Sequence, residues 1–173
     1  FGGQWLSMRE VNGVIPNGDV FKTFDESLRS SIAQETSLFF ASLFKDAQPL
    51  TALLLADFTF VNARLAQHYG LPGGQTGFTK VSLAGVPRLG ILTQETFLMV
   101  TSMADRTSPV RRGNWVLEHA LCDPTPAPPP GVLPIDTPAA GSGLTVRAAL
   151  EQHRASAACS PCHNIIDPIG LGL

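Results

Sequence analysis

The sequence predicts a mainly α-helical fold, and three observations support this prediction. Apolar residues recur at three- and four-residue spacing along several segments, which is typical of amphipathic helices. Only one short segment, residues 78–83, alternates as a strand would. Half of the 14 prolines fall between residues 124 and 138, and a tract so rich in proline cannot be helical. We therefore expect an irregular helical domain over residues 1–123, a proline-rich strap over 124–144, and a C-terminal segment over 145–173 that packs on the helical body.

The longest predicted helix starts at Asp25 and covers residues 25–45. Its apolar positions are Leu28, Ile32, Leu38, Phe39 and Leu43. Thr23 and Glu26 have the spacing of a capping box, in which each side chain bonds the backbone N–H near the other. A short second helix is predicted from Pro49 to about Ala56.

Three further elements are predicted before residue 103. A third helix runs from about Thr59 to Gly70, because glycine favours the end of a helix. Residues 70–78 form a loop rich in Gly and Pro, and residues 78–83 form a short strand. A fourth helix covers Leu92 to Ser102.

The next helix has the clearest predicted start. Ser108 is placed to cap it, and Pro109 stands at the first helical position, where its missing N–H costs nothing. Gly113 lies inside this helix at a cost of about 1 kcal/mol relative to Ala, so we expect another segment to pack closely there. A last helix is predicted over residues 145–159, with Cys159 at its end.

Composition and charge exclude some classes of function. The chain is 44% hydrophobic and 15% charged, as expected for a globular protein, and its net charge of −2 leaves no basic footprint for nucleic acid. No apolar run approaches the roughly 18 residues of a membrane span. The start lacks the charged and apolar regions of a signal peptide, and the chain ends without a polar tail. We expect further chain beyond both ends.

Two of the three cysteines, Cys159 and Cys162, stand two residues apart and are followed at once by His163. A c-type haem uses two such thiols for thioether bonds and the imidazole as an iron ligand. A zinc site could add Cys122 as a fourth ligand. A redox dithiol needs a βαβ context, which a helical chain does not offer. The compact spacing favours haem, and Cys122 is then either buried and inert or paired with a cysteine outside this chain.

Several segments together support a resemblance. The most specific are "DRTSPVRRGNWVLEHALC", residues 105–122, and "LEQHRASAACSPCHNIIDPIGLGL", residues 150–173. With "QWL", "LLLADFTFVNARLAQHYG" and "GILTQETFL" upstream, the chain resembles the planctomycete-type cytochrome c family, which comprises large exported bacterial proteins with several linked domains and haem-binding segments. That family often has a methionine three residues after the haem histidine, where this chain has Ile166.

The resemblance implies one covalent haem c, attached at Cys159 and Cys162, with His163 as the proximal iron ligand. It also implies a protein exported to the periplasm or cell surface, with a redox partner protein or the subunits of a complex as its partners.

The second axial ligand is not evident, because the ten residues after His163 include neither Met nor His. Upstream candidates are Met99, Met103, His68, His119 and His153, of which Met103, at a helix end, is the freest to reach out. Arg106 and Arg111 are candidate contacts for the haem propionates, since a guanidinium pairs well with a carboxylate.

Three functions are therefore open at this stage. The favoured one is electron transfer by a c-type cytochrome module outside the cytoplasm. The first alternative is a haem enzyme that oxidises a small molecule at an open iron site. The sequence offers no dedicated acid–base pair for it, because Glu35, Glu95 and Glu118 are interpreted as solvated or packing residues. The second alternative is a zinc-stapled interaction domain.

Overall fold

The computed structural model of the protein describes residues 2–72, 76–127, 130 and 143–173. In these residues the chain is mainly helical, with irregular helices, which confirms the predicted fold class. It divides into two compact units, Phe1–Thr107 and Ser108–Leu173. Most of the predicted proline-rich strap lies outside the described residues, and the domain boundaries predicted at residues 123 and 144 stay a prediction. No helix of the described ranges combines the length and apolarity needed to cross a membrane.

The first unit contains short helices, one long helix and a two-stranded sheet. Its elements are α1 (Gly2–Trp5), a 3₁₀ turn (Met8–Asn12), α2 (Glu26–Lys45), α3 (Ala52–Leu55), β1 (Phe58–Val61), α4 (Ala63–Tyr69), β2 (Thr79–Ser82), a second 3₁₀ turn (Ile91–Thr93) and α5 (Glu95–Val100). The second unit contains α6 (Pro109–Trp115), a π-helical turn (Val116–Ala120), α7 (Val146–Arg154) and α8 (Ser160–Leu171).

Helix α2 begins as predicted, but its cap differs from the predicted capping box. The backbone of Asp25 is extended, and its carboxylate accepts a hydrogen bond of 2.7 Å from the N–H of Leu28. That hydrogen bond is the main cause that lowers the pKa of Asp25. The carbonyl of Thr23 instead accepts a hydrogen bond from Arg64, which also pairs with the Asp25 carboxylate at 3.1 Å. The box involving Thr23 is therefore wrong, because Asp25 stands two positions closer to the helix and takes the cap.

The third predicted helix is only partly correct. The residues around its predicted start, Phe58–Val61, form β1, which pairs antiparallel with β2 so that Phe58 faces Ser82 and Val61 faces Thr79. Aromatic and β-branched residues suit a half-buried strand, and burial alternates along β1. The strand predicted near residue 80 is thus confirmed, and its partner lies where a helix start was predicted. The helix itself, α4, ends at Gly70, whose φ of 66° is a left-handed conformation that glycine adopts without strain.

The predictions for two shorter helices are also refined. A helix after Pro49 is confirmed as α3, which a turn beginning at Pro49 precedes. The helix predicted over Leu92–Ser102 is reduced to α5, because residues Ile91–Thr93 form a 3₁₀ turn and Gln94 is extended.

The core of the first unit lies between α2, α4 and the sheet. Its largest cluster of buried residues is Leu28, Ile32, Val61, Leu65, Ala66, Leu71 and Leu83. Leu28 and Ile32 are one turn apart on α2, and Leu65 and Ala66 belong to α4. The predicted periodicity of α2 therefore identifies the face that packs.

Asn62 joins α4 to this core, and its removal should destabilise the first unit. Its side-chain oxygen accepts from the N–H of Leu65 at 2.9 Å, and its amide nitrogen donates to Ser31 Oγ at 2.8 Å. Loss of an N-cap costs about 1 kcal/mol, so we expect Asn62→Ala to lower the free energy of unfolding by at least that amount. Asn62→Asp keeps the cap and loses only the bond to Ser31, so urea unfolding should place it between the wild type and the alanine variant. Equal stability of all three would contradict this.

The second unit is held together by close packing of α6 on α8. Helix α6 starts as predicted, with the Ser108 side chain accepting from the N–H of Arg111 and Pro109 in the first turn. A Cβ atom at Gly113 would lie 2.1 Å from the carbonyl oxygen of Ile166, and one at Gly170 would lie 1.8 Å from that of Pro109. The expected close contact at Gly113 is confirmed, and glycines on both helices make it possible.

The last predicted helix ends early. Helix α7 stops at Arg154, and turns lead to Cys159, which directly precedes α8. The prediction that Cys159 ends the preceding helix is therefore wrong. Pro161 lies in the first turn of α8, where it is favourable, whereas in the interior of one continuous helix it would remove a backbone hydrogen bond.

Candidate functional site

The Cys-x-x-Cys-His run lies at the start of α8. Cys159 stands at the N-cap position, and Cys162 and His163 belong to the first turn. The N–H of His163 donates to the carbonyl of Cys159 at 3.1 Å, so one helical turn contains all three predicted site residues. Both cysteines are half-buried, and neither takes part in a disulfide.

The imidazole of His163 is oriented by a carboxylate. Its Nδ1 lies 2.9 Å from Oδ1 of Asp167, one turn further along α8. The His163 side chain is 15% exposed and the Asp167 side chain is fully buried. An ionised carboxylate only accepts hydrogen bonds, so with an ionised Asp167 the contact requires the tautomer that carries its proton on Nδ1, which leaves the lone pair of Nε2 for a ligand.

Helix α7 supplies two more groups to this cluster. Nε of Arg154 lies 3.7 Å from Oδ2 of Asp167, a buried oxygen for which the described residues offer no hydrogen-bond donor. The His153 ring meets the His163 ring edge-on, with centroids 4.6 Å apart. Burial lowers the pKa of His153, and the neighbouring His163 lowers it further. The cluster therefore brings one carboxylate, one guanidinium and two imidazoles together.

The packing of α8 explains why Asp167 is buried. The buried residues of α8 are Ile166, Asp167 and Gly170, which lie on one face of the helix. Ile166 and Gly170 are the residues that contact α6 so closely. The glycine contacts therefore turn the Asp167 face of α8 toward the interior of the unit, while the first turn with its cysteines stays half-exposed.

The remaining predicted site residues are distributed over both units. Met103 and Arg106 lie in the first unit, where the N–H of Met103 donates to the Arg106 carbonyl at 2.9 Å and the Arg106 guanidinium pairs with Asp105 at 2.8 Å. Arg111 lies in the second unit, exposed in the first turn of α6. Their roles as distal ligand and propionate contacts stay predictions.

The zinc alternative is not supported by the geometry. Cys122, Cys159, Cys162 and His163 are all within the described ranges, yet no group of three or more His, Cys, Asp or Glu side chains there is arranged to hold a metal ion. The alternative of a buried Cys122 is also wrong, because this thiol is exposed at a position with a φ of 56°. The π-helical turn that follows α6 ends at Ala120, two residues before Cys122.

Asp167 was not among the site residues predicted from the sequence. The signal was present, because residues four apart on a helix are neighbours and "HNIID" places the histidine and the aspartate at that spacing. The burial of Asp167 could not be predicted from local sequence, because it depends on close contacts at two glycines in different helices.

Glu35 was interpreted as a solvated or packing residue, and it is in fact fully buried on α2. Its two carboxyl oxygens accept hydrogen bonds from Thr59 Oγ1 at 2.5 Å and from the Tyr69 hydroxyl at 2.7 Å. Burial raises the pKa of Glu35 to about 7, although both hydrogen bonds oppose the shift. The spacing of Leu28, Ile32, Glu35 and Phe39 on α2 could have indicated burial, since it continues the core stripe.

Two family models match the chain. Residues 88–173 match PSCyt3: Protein of unknown function (DUF1588). Residues 1–71 match PSD4: Protein of unknown function (DUF1592). Both names are typical of planctomycete cytochrome c-like families, which supports the resemblance at that level, and neither states a function. The PSCyt3 match includes the whole second unit and therefore the site on α8. No curated protein and no solved structure matches the chain.

Proposed function

We propose that the chain is a c-type cytochrome module that carries one covalent haem and transfers electrons outside the cytoplasm, as part of a larger protein or complex. In this proposal Cys159 and Cys162 hold the haem and Nε2 of His163 is the proximal iron ligand. Each thiol adds across one vinyl group, with sulfur bonding to one carbon and the proton going to the other, so no oxidant is consumed. A bound haem would supply one-electron chemistry at its iron.

The observation that carries this proposal is the contact between Nδ1 of His163 and the Asp167 carboxylate. The Nδ1 atom is engaged by Asp167, so the nitrogen left for a ligand is Nε2, and metal-ligating histidines commonly have such an outer partner. Both thiols lie within one turn of the ring and are uncommitted to a disulfide. The residues present therefore fit a covalently bound haem better than a structural zinc ion, which needs four protein ligands, since no three His, Cys, Asp or Glu side chains of the described residues are grouped to hold a metal ion.

The rest of the second unit would hold the site rigid. Close packing of α6 on α8 leaves little freedom for the first turn of α8, and Asp167 fixes the ring of His163. A fixed ligand changes little between oxidation states, which suits electron transfer. We place the protein in the periplasm or at the cell surface, where oxidising conditions prevail and an external redox partner can reach the half-exposed cysteine turn.

The attachment of haem can be tested with the third cysteine as a matched control. The full chain is produced in a bacterial periplasm together with a cytochrome c maturation system, and the denatured polypeptide is weighed by mass spectrometry. The wild type and Cys122→Ser should each carry one haem, whereas Cys159→Ser with Cys162→Ser should carry none. If the wild type lacks an adduct while a known c-type cytochrome matures in the same cells, the proposal is wrong. It is equally wrong if the double variant keeps the adduct.

A further inference from the structure

We infer that Asp167 is the positioning residue of the haem ligand: its carboxylate holds the His163 ring with Nε2 toward the iron and strengthens the ring as an electron donor, which lowers the reduction potential. This inference rests on the function proposed above. It assigns a role to a residue outside the Cys-x-x-Cys-His run.

The hydrogen bond between His163 and Asp167 is of the strong kind. Its donor is an imidazole N–H, its acceptor is a carboxylate, and the distance of 2.9 Å is within the range of charge-assisted bonds. The acceptor is fully buried, and a low local dielectric strengthens such a bond. A carboxylate that accepts from one ring nitrogen raises the basicity of the other, so the ferric iron is stabilised more than the ferrous iron.

The burial of Asp167 costs free energy of folding that its own contacts recover only in part. Taking a carboxylate out of water costs several kcal/mol, and Oδ2 recovers only part of this through Arg154 at 3.7 Å, beyond hydrogen-bond distance. Well-packed apolar residues often replace buried ion pairs without loss of stability. An aspartate kept in the interior of α8, one turn from His163, is therefore better explained by its effect on the ring than by stability.

Arg154 limits the effect of the carboxylate. Its guanidinium faces the oxygen that His163 does not use, and its positive charge opposes the negative charge of Asp167. Asp167 and Arg154 should therefore shift the potential of the iron in opposite directions. Because opposite charges near a haem shift its potential oppositely through space alone, the donor strength of His163, read from the ferric spectrum, is what assigns the effect of Asp167 to the ring.

The test uses the haem-loaded full chain and measures the reduction potential and the ferric electron paramagnetic resonance spectrum. Asp167→Asn keeps the size of the side chain and removes its charge. We expect the preference for the ferric state to fall about tenfold, a typical loss for an outer partner of a ligand, which corresponds to a rise of about 59 mV for one electron. The spectrum should show a weaker axial donor. Arg154→Gln should lower the potential.

The control is Glu151→Gln, which removes one exposed negative charge from α7 in the same unit and should leave both measurements unchanged. A haem-loaded Asp167→Asn variant with the potential of the wild type would overturn this inference and leave the proposed function intact. So would shifts of the same sign in the Asp167 and Arg154 variants. A wild type that carries no haem would instead overturn the proposed function, and the mass of the denatured chain distinguishes the two failures.

Discussion

A Gly170→Ala variant is expected to lose about 3 kcal/mol or more of the stability of the second unit. The added Cβ would lie 1.8 Å from the carbonyl oxygen of Pro109 and 2.5 Å from its carbonyl carbon. Both are backbone atoms of α6, so no side chain can rotate away to make room. Insertion of a methyl group into a tightly packed core usually costs 1–3 kcal/mol even when neighbours adjust, so about 3 kcal/mol is the lower bound expected here.

The matched control is Gly172→Ala, two residues further along the same chain. A Cβ there would meet its nearest atoms at an ordinary 3.5 Å, and its φ of −83° suits an L-residue. This variant should be as stable as the wild type or more stable by about 0.4–1 kcal/mol, because alanine restricts the unfolded chain.

Each unit contains one of the two tryptophans, Trp5 in the first and Trp115 in the second, which allows them to be followed separately. With Trp5→Phe as the common background, Trp115 fluorescence in urea reports on the second unit alone. Equal unfolding midpoints for the Gly170 and Gly172 variants would contradict the close contact between Gly170 of α8 and the Pro109 carbonyl of α6.

Local signals in the sequence predicted much of the helical framework. Ser108 and Pro109 fixed the start of α6, since capping and proline preference depend on neighbouring residues only. Gly113 indicated a close contact, because glycine destabilises a helix interior and is expected there mainly where another segment approaches too closely for a side chain. The Cys-x-x-Cys-His run identified the three candidate site residues, although the helix that contains Cys162 and His163, α8, was not predicted.

The features that the sequence did not predict depend on distant partners. Phe58–Val61 has a pattern that suits either a helix start or a strand, and pairing with β2, about twenty residues later, decides for the strand. The burial of Asp167 requires α6 to pack on α8. The burial of Glu35 requires hydroxyl groups from β1 and α4. Local periodicity contains no information about these distant partners.

The stability of the first unit is expected to fall as the pH rises from about 5 to about 8, and Glu35→Gln should remove this fall. The Glu35 carboxyl is buried, and burial raises its pKa from an ordinary 4.5 to about 7. The folded unit therefore holds this proton more tightly than the unfolded chain does. The stabilisation is fully present below pH 4.5 and is lost as the pH rises through 7, and it amounts to something on the order of 3 kcal/mol.

The charged groups around Glu35 do not reverse this sign. The guanidinium of Arg88, stacked on the ring of Tyr69 with its carbon 4.1 Å from the ring centre, favours the charged carboxylate. The carboxylate of Glu95 has the opposite effect and disfavours a charged Glu35. The imidazole of His68 lies 3.8 Å from the Glu95 carboxylate. Burial is the largest of these effects on the pKa of Glu35, so the neutral carboxyl remains the favoured form in the folded unit.

Urea unfolding at several pH values, followed by Trp5 fluorescence in a Trp115→Phe background, would measure this contribution. The quantity to compare is the difference in free energy of unfolding between Glu35→Gln and the wild type, because other titrating groups then cancel. That difference should grow in favour of glutamine between pH 5 and pH 8, whereas Glu10→Gln, with an exposed side chain, should show no such trend. A constant difference would mean that Glu35 titrates alike in both states. It would also mean that the hydrogen bonds from Thr59 and Tyr69 offset the effect of burial on the pKa of Glu35, so that the carboxyl is charged over most of this range.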